Sequence, residues 1–353
     1  MKKSILYVVE AMGGGVFTYI VDMANELINE FDIYIAYAVR PQTPPNFKDY
    51  FDDRVRLIEV KNFCRSISLI KDLAAVSEIK AIADHLKPDI IHLHSSKAGI
   101  VGRVAFACSK TPLFYTPHGY SFLMKNCNII KRKIYWIIEK FFSQTKCMTI
   151  SCSYSEYMES LKLSKNARYV NNGINVRELN AKLSKVKRVE HPFTVFTIGR
   201  ICDQKNPELF NKIAEALPQT RFLWIGDGER RNKLVSRNIK ITGWLEREEV
   251  LIKSINADIF ILTSLWEGLP VSLLEAMCMK KPCVVSNVIG NHDVIKNHEN
   301  GYVCNDVSEF VIAIKEAKKT LYVDQAYTDL IEKYETKVQV KNYTDIYRSF
   351  IGD

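Results

Sequence analysis

The stretch Ser4-Ile5-Leu6-Tyr7-Val8-Val9-Glu10-Ala11-Met12-Gly13-Gly14-Gly15-Val16, running on to Leu27, decides the fold. Its first six residues, mostly β-branched or aromatic, read as a buried strand. The three glycines read as a tight loop. Val16, Ile20, Met23, Ala24 and Leu27 then recur at helical spacing, and Ile33–Val39 follows as a second strand. Strand, helix, strand in this order is a βαβ unit, so the two strands run parallel. Working outward, the alternation continues. Strands are expected at Arg56–Val60, Ile90–His94, Leu113–Thr116, Cys147–Ser151 and Ala167–Val170, with helices at Leu69–Leu86, Ile100–Ala107, Ile129–Phe142 and Glu156–Leu161. Between Asn180 and His191 the chain turns polar and lysine-rich, Pro192 follows, and the pattern restarts. The second set of strands is Phe193–Ile198, Arg221–Ile225, Ile239–Thr242, Ile259–Leu262 and Cys283–Ser286. Its helices are Pro207–Ala216, Arg247–Ser254, Ser272–Met279, Val307–Leu321 and about Leu330–Tyr347. The expected class is α/β, two Rossmann-like doubly wound parallel-sheet domains facing across a cleft. The expected limits are 1–180 and 193–335, with a linker at 181–192 and a terminal helix over 336–353.

Composition narrows the function classes. At 353 residues and 47% apolar, the chain is long enough for two real cores. No stretch approaches the roughly 18–20 apolar residues that span a bilayer. The first four residues resemble a signal n-region, but Glu10 ends the apolar run without a cleavage site, so secretion is not expected. Nine cysteines, an odd number with no C-x-x-C pair, fit free thiols in a reducing cytoplasm better than disulfides or zinc. The net charge of +9 is uneven: +7 falls within residues 1–180 and +2 within 181–353. A basic first half could meet nucleic acid, anionic lipid or a phosphorylated small molecule, and charge alone does not choose. No nucleic-acid-binding motif is present, so no nucleic acid partner is expected.

In open parallel sheets ligands collect at the carboxyl ends of strands, beside helix N-termini, and the notable residues lie there. Gly13-Gly14-Gly15 could let amides approach a phosphate or sugar, or could simply turn. Gly199-Arg200, with Lys205 five residues on, places two cations before a helix, suited to a pyrophosphate or else solvated. Gly226-Asp227-Gly228-Glu229 reads as a polar turn. Trp244 could stack a flat base or pack between domains. The strongest segment is Thr263-Ser264-Leu265-Trp266-Glu267-Gly268-Leu269-Pro270-Val271-Ser272-Leu273-Leu274-Glu275. Glu267 falls in a loop after a strand, and Glu275 falls inside an apolar run where an unpaired charge is costly. Two such carboxylates can grip hydroxyls of two sugar rings. In the first half His94, followed by Ser95 and Lys97, ends one strand, and His118 in His118-Gly119-Tyr120-Ser121-Phe122 ends the next. His92 reads as structural. The run Lys125–Phe142 is basic and amphipathic. It suits an anionic membrane surface through Lys131, Arg132, Lys133 and Trp136, or a helix packed on the sheet with a basic edge.

These motifs, in this order, resemble retaining glycosyltransferase family 4, and the Phe114–Leu123 stretch resembles bacterial enzymes that build O-antigen, capsule or exopolysaccharide. Asn175 stands where the family usually has Asp. The resemblance implies a GT-B architecture, with the acceptor on the first domain and a nucleotide-sugar on the second. It implies a donor site of Gly14, Gly15, Gly199, Arg200, Lys205, Trp244, Glu267, Gly268, Leu269, Pro270, Val271 and Glu275. Arg200 and Lys205 would hold the diphosphate, Glu275 the ribose and Glu267 the donor sugar. Pro270 has no amide to give. The acceptor site would comprise Gly15, His94, Ser95, Lys97, His118 and Tyr120. Catalysis would fall to His118, Glu267, Arg200 and Lys205. No D-x-D motif sits at a strand end, so no metal and no cofactor is expected beyond a UDP-sugar co-substrate. The implied reaction moves an N-acetylhexosamine or hexose, with retention, onto a polyprenyl-diphosphate-linked glycan. The place is the inner face of the cell membrane, where the enzyme would be peripheral. The alternatives are a transferase with a soluble acceptor, a UDP-N-acetylglucosamine 2-epimerase of the same architecture, and a nucleic-acid-binding protein.

Overall fold

A computed structural model describes every residue except 1, 11, 41, 42, 65–67, 126, 320, 321 and 353. The chain divides into two compact units: residues 1–123, 128–173 and 336–353 form one, and 124–127 with 174–335 form the other.

The first unit contains β1 (Lys3–Val9), α1 (Gly14–Leu27), β2 (Phe31–Tyr37), β3 (Arg56–Glu59), α2 (Leu69–Leu86), β4 (Ile90–His94), α3 (Ser96–Ala105), β5 (Leu113–Thr116), α4 (Ile129–Phe142), β6 (Met148–Ser151), α5 (Tyr154–Leu163) and β7 (Ala167–Tyr169). Among the described residues its seven strands form one parallel sheet in the order β3-β2-β1-β4-β5-β6-β7. Order reverses between β1 and β4, and Val9 pairs with His94 there. Both faces of the sheet are covered. One carries α1 and its Ile20, Ala24 and Leu27. The other carries α2 and α3 through Ala75, Ile79, Ala98 and Val101.

The second unit contains α6 (Val176–Leu183), β8 (Thr194–Ile198), α7 (Pro207–Ala216), β9 (Arg221–Ile225), β10 (Ile239–Ile241), α8 (Arg247–Ile255), β11 (Ile259–Leu262), α9 (Val271–Cys278), β12 (Cys283–Ser286), α10 (Asn291–Val294), β13 (Tyr302–Cys304), α11 (Val307–Ala317) and α12 (Val323–Lys333). Its described strands form a parallel sheet ordered β10-β9-β8-β11-β12-β13, reversing between β8 and β11. Asn206 caps α7 by accepting from the Leu209 amide, and Pro207 opens the helix without wasting a donor.

The final helix, α13 (Thr336–Ile351), belongs to the first unit and packs on α1 with Tyr343, Ile346 and Tyr347 buried. The single helix expected over 330–347 is therefore two, α12 and α13. They break where the Tyr334 carbonyl accepts from the Ile174 amide and Glu335 bridges to Ile174. The helix expected to reach Leu321 ends at Ala317, and Leu321 itself lies outside the described residues. The division between units falls at Gly173/Ile174 rather than within 181–192, because α6 packs against α8 and α9.

Helix α4 is turned the opposite way from a simple amphipathic reading. Glu139 is buried, bound to Arg103 of α3 at 2.8 Å and to the Tyr115 hydroxyl at 3.0 Å. Satisfying that buried carboxylate fixes which stripe of the helix faces inward. Ile130, Ile134, Ile137 and Phe141 are left facing solvent, with Phe141 72% exposed.

Candidate active site

In each unit several of the expected site residues, Gly199, Arg200, Lys205 and Glu267 in the second and Gly14, Gly15 and His94 in the first, lie at the carboxyl ends of the strands where the order reverses, the position at which a parallel sheet opens a crevice.

In the second unit, the loop after β8 carries Gly199, Arg200 and Lys205, and the loop after β11 carries Ser264 and Glu267. Thr263 Oγ1 donates to the Lys205 carbonyl (2.8 Å) and the Leu265 amide to the Gln204 carbonyl (2.8 Å), tying the two loops together. Lys205 Nζ then meets Glu267 Oε1 at 2.7 Å, with side chains only 17% and 7% exposed. Ser264 Oγ donates to the same oxygen at 2.6 Å and Gln204 Nε2 to the other at 3.3 Å. Three donors thus occupy the Glu267 carboxylate, which acts as a fixed acceptor post. Arg200 does not join them. Its guanidinium lies on Glu229 at 2.9 Å, in a pair exposed enough to exchange partners at little cost. That gives Glu229 a role in a turn that the sequence presented only as polar.

Residues Gly268, Leu269 and Pro270 are buried, and Val271 opens α9. Glu275, one turn into α9, is buried and paired with Arg247 of α8 at 2.5 Å. Its position in an apolar run is explained by that guanidinium, which the sequence reading did not find. Trp244 is 63% exposed, so its ring is open to a ligand. Gly290, also missed, has φ +84, and a β-carbon there would lie 2.5 Å from the Gly268 carbonyl oxygen. Only glycine lets that backbone press against the loop behind Glu267.

In the first unit, Gly14 has φ +59 and, with Gly15, stands exposed at the start of α1. Nothing crowds a β-carbon at either, so Gly14 is demanded by its backbone angle rather than by space. His118 also takes a positive φ, +54. Its Nε2 lies 3.1 Å from His94 Nδ1, and its ring meets Tyr19 edge-on at 4.6 Å between centroids. Burial in these surroundings pushes the His118 imidazole down to about 3 and holds His94 well below the usual histidine range. His92 is bonded through both nitrogens, to Tyr347 Oη at 2.6 Å and Thr116 Oγ1 at 2.9 Å, as befits a structural histidine.

Three residues expected to meet an acceptor are placed otherwise. Tyr120 is buried, its hydroxyl on Ser160 Oγ at 2.8 Å and its ring stacked on Phe122, so the side chain is core and not surface. The chain turns at His118 (φ +54) and Gly119 (φ +95), and that turn leaves His118 against Tyr19 while Tyr120 enters the core on the sheet's other face. Lys97 pairs with Asp72 of α2 at 2.5 Å. His94 is fully buried and reaches the site only through His118. Ser95 sits at the N-cap of α3 with φ +76. On α4, Lys131, Lys133 and Trp136 are exposed, whereas Arg132 is half-buried and its Nε donates to the Phe122 carbonyl at 3.0 Å.

Glu156 of α5 is a further residue the sequence reading passed over. Fully buried, it accepts from the Gly119 amide at 2.7 Å and the Cys152 amide at 2.8 Å, pinning the loop that carries His118. The signal was present in Ser153-x-x-Glu156, a helix-start pattern. Among the described residues no group of three or more His, Cys, Asp or Glu could hold a metal ion.

Comparison with known proteins places this arrangement. A model of Glycosyltransferase Family 4 matches residues 13–178, and one of Glycosyl transferases group 1 matches residues 192–319. The UDP-Gal:alpha-D-GlcNAc-diphosphoundecaprenol alpha-1,3-galactosyltransferase of Escherichia coli is 33% identical over 303 residues, covering 75% of this chain and 76% of the relative. The chain belongs to glycosyltransferase family 4. This family 4 glycosyltransferase shares its two-unit GT-B fold with solved structures at much lower identity. The sucrose-phosphate synthase of Thermosynechococcus elongatus is 16% identical, covers 98% of this chain and 99% of its own, and has a TM-score of 0.82. HepE of Anabaena, solved in complex with UDP-glucose, is 16% identical with the same coverage and a TM-score of 0.78.

Proposed function

We propose that this glycosyltransferase moves a hexose or N-acetylhexosamine from a UDP-sugar onto a polyprenyl-diphosphate-linked saccharide at the inner membrane leaflet. The bond formed is α, made with retention, in the synthesis of a surface polysaccharide. The observation that carries the reading is the 33% identical Escherichia coli relative, whose name states a UDP-galactose donor and a diphosphoundecaprenol acceptor. It puts a hexose, galactose first, ahead of an N-acetylhexosamine.

The chemistry suits the residues. As the bond from the anomeric carbon to the diphosphate breaks, negative charge grows on the leaving oxygen. Lys205, held by Glu267, and Arg200, released from its exposed pair with Glu229, are the cations to meet it. The acceptor hydroxyl bonds to the anomeric carbon on the same face, and its proton passes to the departing phosphate. Glu267 already accepts from three donors, which favours this front-face route over a carboxylate nucleophile. Glu275 and Trp244 take the ribose and base, and His118 with Gly14 and Gly15 takes the sugar and acceptor side.

A donor screen tests the reading. Purified protein is given UDP-galactose, UDP-glucose, UDP-N-acetylglucosamine or GDP-mannose with a synthetic N-acetylglucosaminyl-diphospho-lipid. One UDP-sugar is expected to transfer, with UDP released in equal amount. Equal transfer to a simple soluble glycoside would favour the soluble-acceptor alternative, and epimerisation without UDP release would favour the epimerase.

The exposed face of α4 supports the membrane part. Ile137 and Phe141 stand in solvent beside Lys133, and burying a large apolar side chain is worth about 1.5–3 kcal/mol. Changing both to Glu should reduce binding to phosphatidylglycerol-containing vesicles at least tenfold, read by co-sedimentation. Transfer to a short-tailed soluble acceptor analogue should stay within twofold. Vesicle binding equal to that of the unaltered protein would remove α4 from the membrane contact.

A further inference from the structure

The proposed site uses His118 but leaves a buried partner unexplained. His94 is fully buried at the end of β4, and its ring sits edge-on to Tyr7 at 5.0 Å and tilted against Tyr19 at 5.6 Å. Its Nδ1 faces His118 Nε2 at 3.1 Å, while its own Nε2, also buried, has no partner among the described residues.

We infer that His94 is a positioning residue that keeps the His118 proton on Nδ1, so that His118 meets its substrate as a hydrogen-bond donor and not as a base. The inference rests on the proposed reading that His118 takes the sugar and acceptor side.

Two neutral imidazoles facing each other through one nitrogen each must share a single proton across the contact. It sits on His94 Nδ1 and is donated to His118 Nε2, or it sits on His118 Nε2 and is donated to His94 Nδ1. The two arrangements differ in what they leave at the far side of His94. In the first, His94 Nε2 is a buried lone pair with no donor on it. In the second it is an N–H with nothing to receive it. A buried orphan N–H is the rarer and costlier defect, so the first arrangement prevails. His118 then has Nε2 occupied as an acceptor and carries its own proton on Nδ1. Burial keeps both rings uncharged at neutral pH, as the two-imidazole argument requires. The neighbouring groups that could protonate or accept are Tyr7 and Tyr19, both held neutral by burial, and His92, occupied by Tyr347 and Thr116. The Nδ1–H form is the minor tautomer of a free histidine side chain, so the fold selects it against intrinsic preference.

The Nδ1 proton does chemistry that a base could not. A donor there can hold a sugar or acceptor oxygen in place without competing for the hydroxyl proton that passes to the leaving phosphate. Positioning by a fixed donor requires its partner to be fixed too, and the His94 ring is packed against those of Tyr7 and Tyr19.

The test is two-bond proton–nitrogen spectroscopy of the whole protein labelled with nitrogen-15 histidine, near pH 7.5, with the His118 signals assigned by His118→Asn. The expected result is His118 protonated on Nδ1. Protonation on Nε2 would overturn the inference, and the tautomer itself is read in the unaltered protein. His94→Phe should return His118 to the Nε2–H form and lower kcat for sugar transfer at least tenfold, with affinity for UDP within twofold. His94→Asn, whose amide can donate in the same place, should recover most of the rate. A His94→Phe protein that folds and transfers at the normal rate overturns the positioning role. Full transfer by His118→Ala would overturn the catalytic placement itself, whatever the tautomer. Loss of transfer in His118→Ala together with an Nε2–H wild type would overturn only the inference made here.

Discussion

Lys205→Met is expected to lower kcat for sugar transfer by a hundred- to a thousandfold. The substitution keeps the length and apolar stem of the side chain and removes the ammonium that lies 2.7 Å from Glu267. Two losses follow. The leaving diphosphate loses a preorganised cation, and removing one such donor typically costs about 2.7–4 kcal/mol of transition-state stabilisation. Glu267, only 7% exposed, loses its counter-charge and keeps just Ser264 and Gln204 as donors. Stranding a buried carboxylate is worth roughly 3 kcal/mol of stability, the lower end of the usual range because two donors remain. Adding Glu267→Gln removes the stranded charge. The double variant should therefore regain most of the stability measured by urea unfolding and none of the activity. A single variant with kcat within threefold of the parent would show that Lys205 does not face the leaving group.

The second large effect is on stability in mild acid. His92 and His94 are fully buried, and desolvation holds both well below the ordinary histidine value of 6.5. The folded state therefore keeps them neutral while the unfolded chain protonates them. Below 6.5 the unfolded state binds more protons, so stability is full above that pH and falls as the pH is lowered. Each ring that stays neutral costs about 1.4 kcal/mol per pH unit well below 6.5. Between pH 7 and pH 5 the two together should remove about 4 kcal/mol, and His118, pushed down to about 3, adds about 2 more. Carboxylates held low, such as Asp89, act in the same direction only in more acid solution and leave this window to the histidines. Urea unfolding at pH 7 and pH 5 at fixed salt gives the difference, and His94→Phe should shrink it by about a third. A flat profile across this range would mean that the rings charge without leaving the fold.

Much of the fold is legible in the order of residues. Alternation of apolar runs with helical spacing gave all seven strands of the first sheet and five of the six of the second, missing the short β13, and α2 falls on Leu69–Leu86 as expected. Two of the misplacements occur where the chain changes unit. Nothing in the spacing around Tyr334 and Glu335 announces a break between α12 and α13, since it arises from pairing with Ile174, some 160 positions away. Among the candidate site residues, Gly14, Lys205, Glu267, Glu275 and His118 stand out in the sequence because strand ends and glycine loops mark where ligands meet parallel sheets.

By itself the sequence determined the α/β class, the positions of the loops that carry chemistry and the family to which they belong. These follow from local periodicity and from motifs within a few residues of one another. Tertiary structure alone decided the pairings. It set Lys205 against Glu267 and Arg247 against Glu275, buried Tyr120, and turned α4 outward around the Arg103–Glu139 pair. It also brought His94 to His118 and Glu156 to Gly119. Each of these joins residues from 24 to 62 positions apart. Hydrogen bonds and ion pairs act over about 3 Å, and only the folded sheets fix which distant side chains come that near.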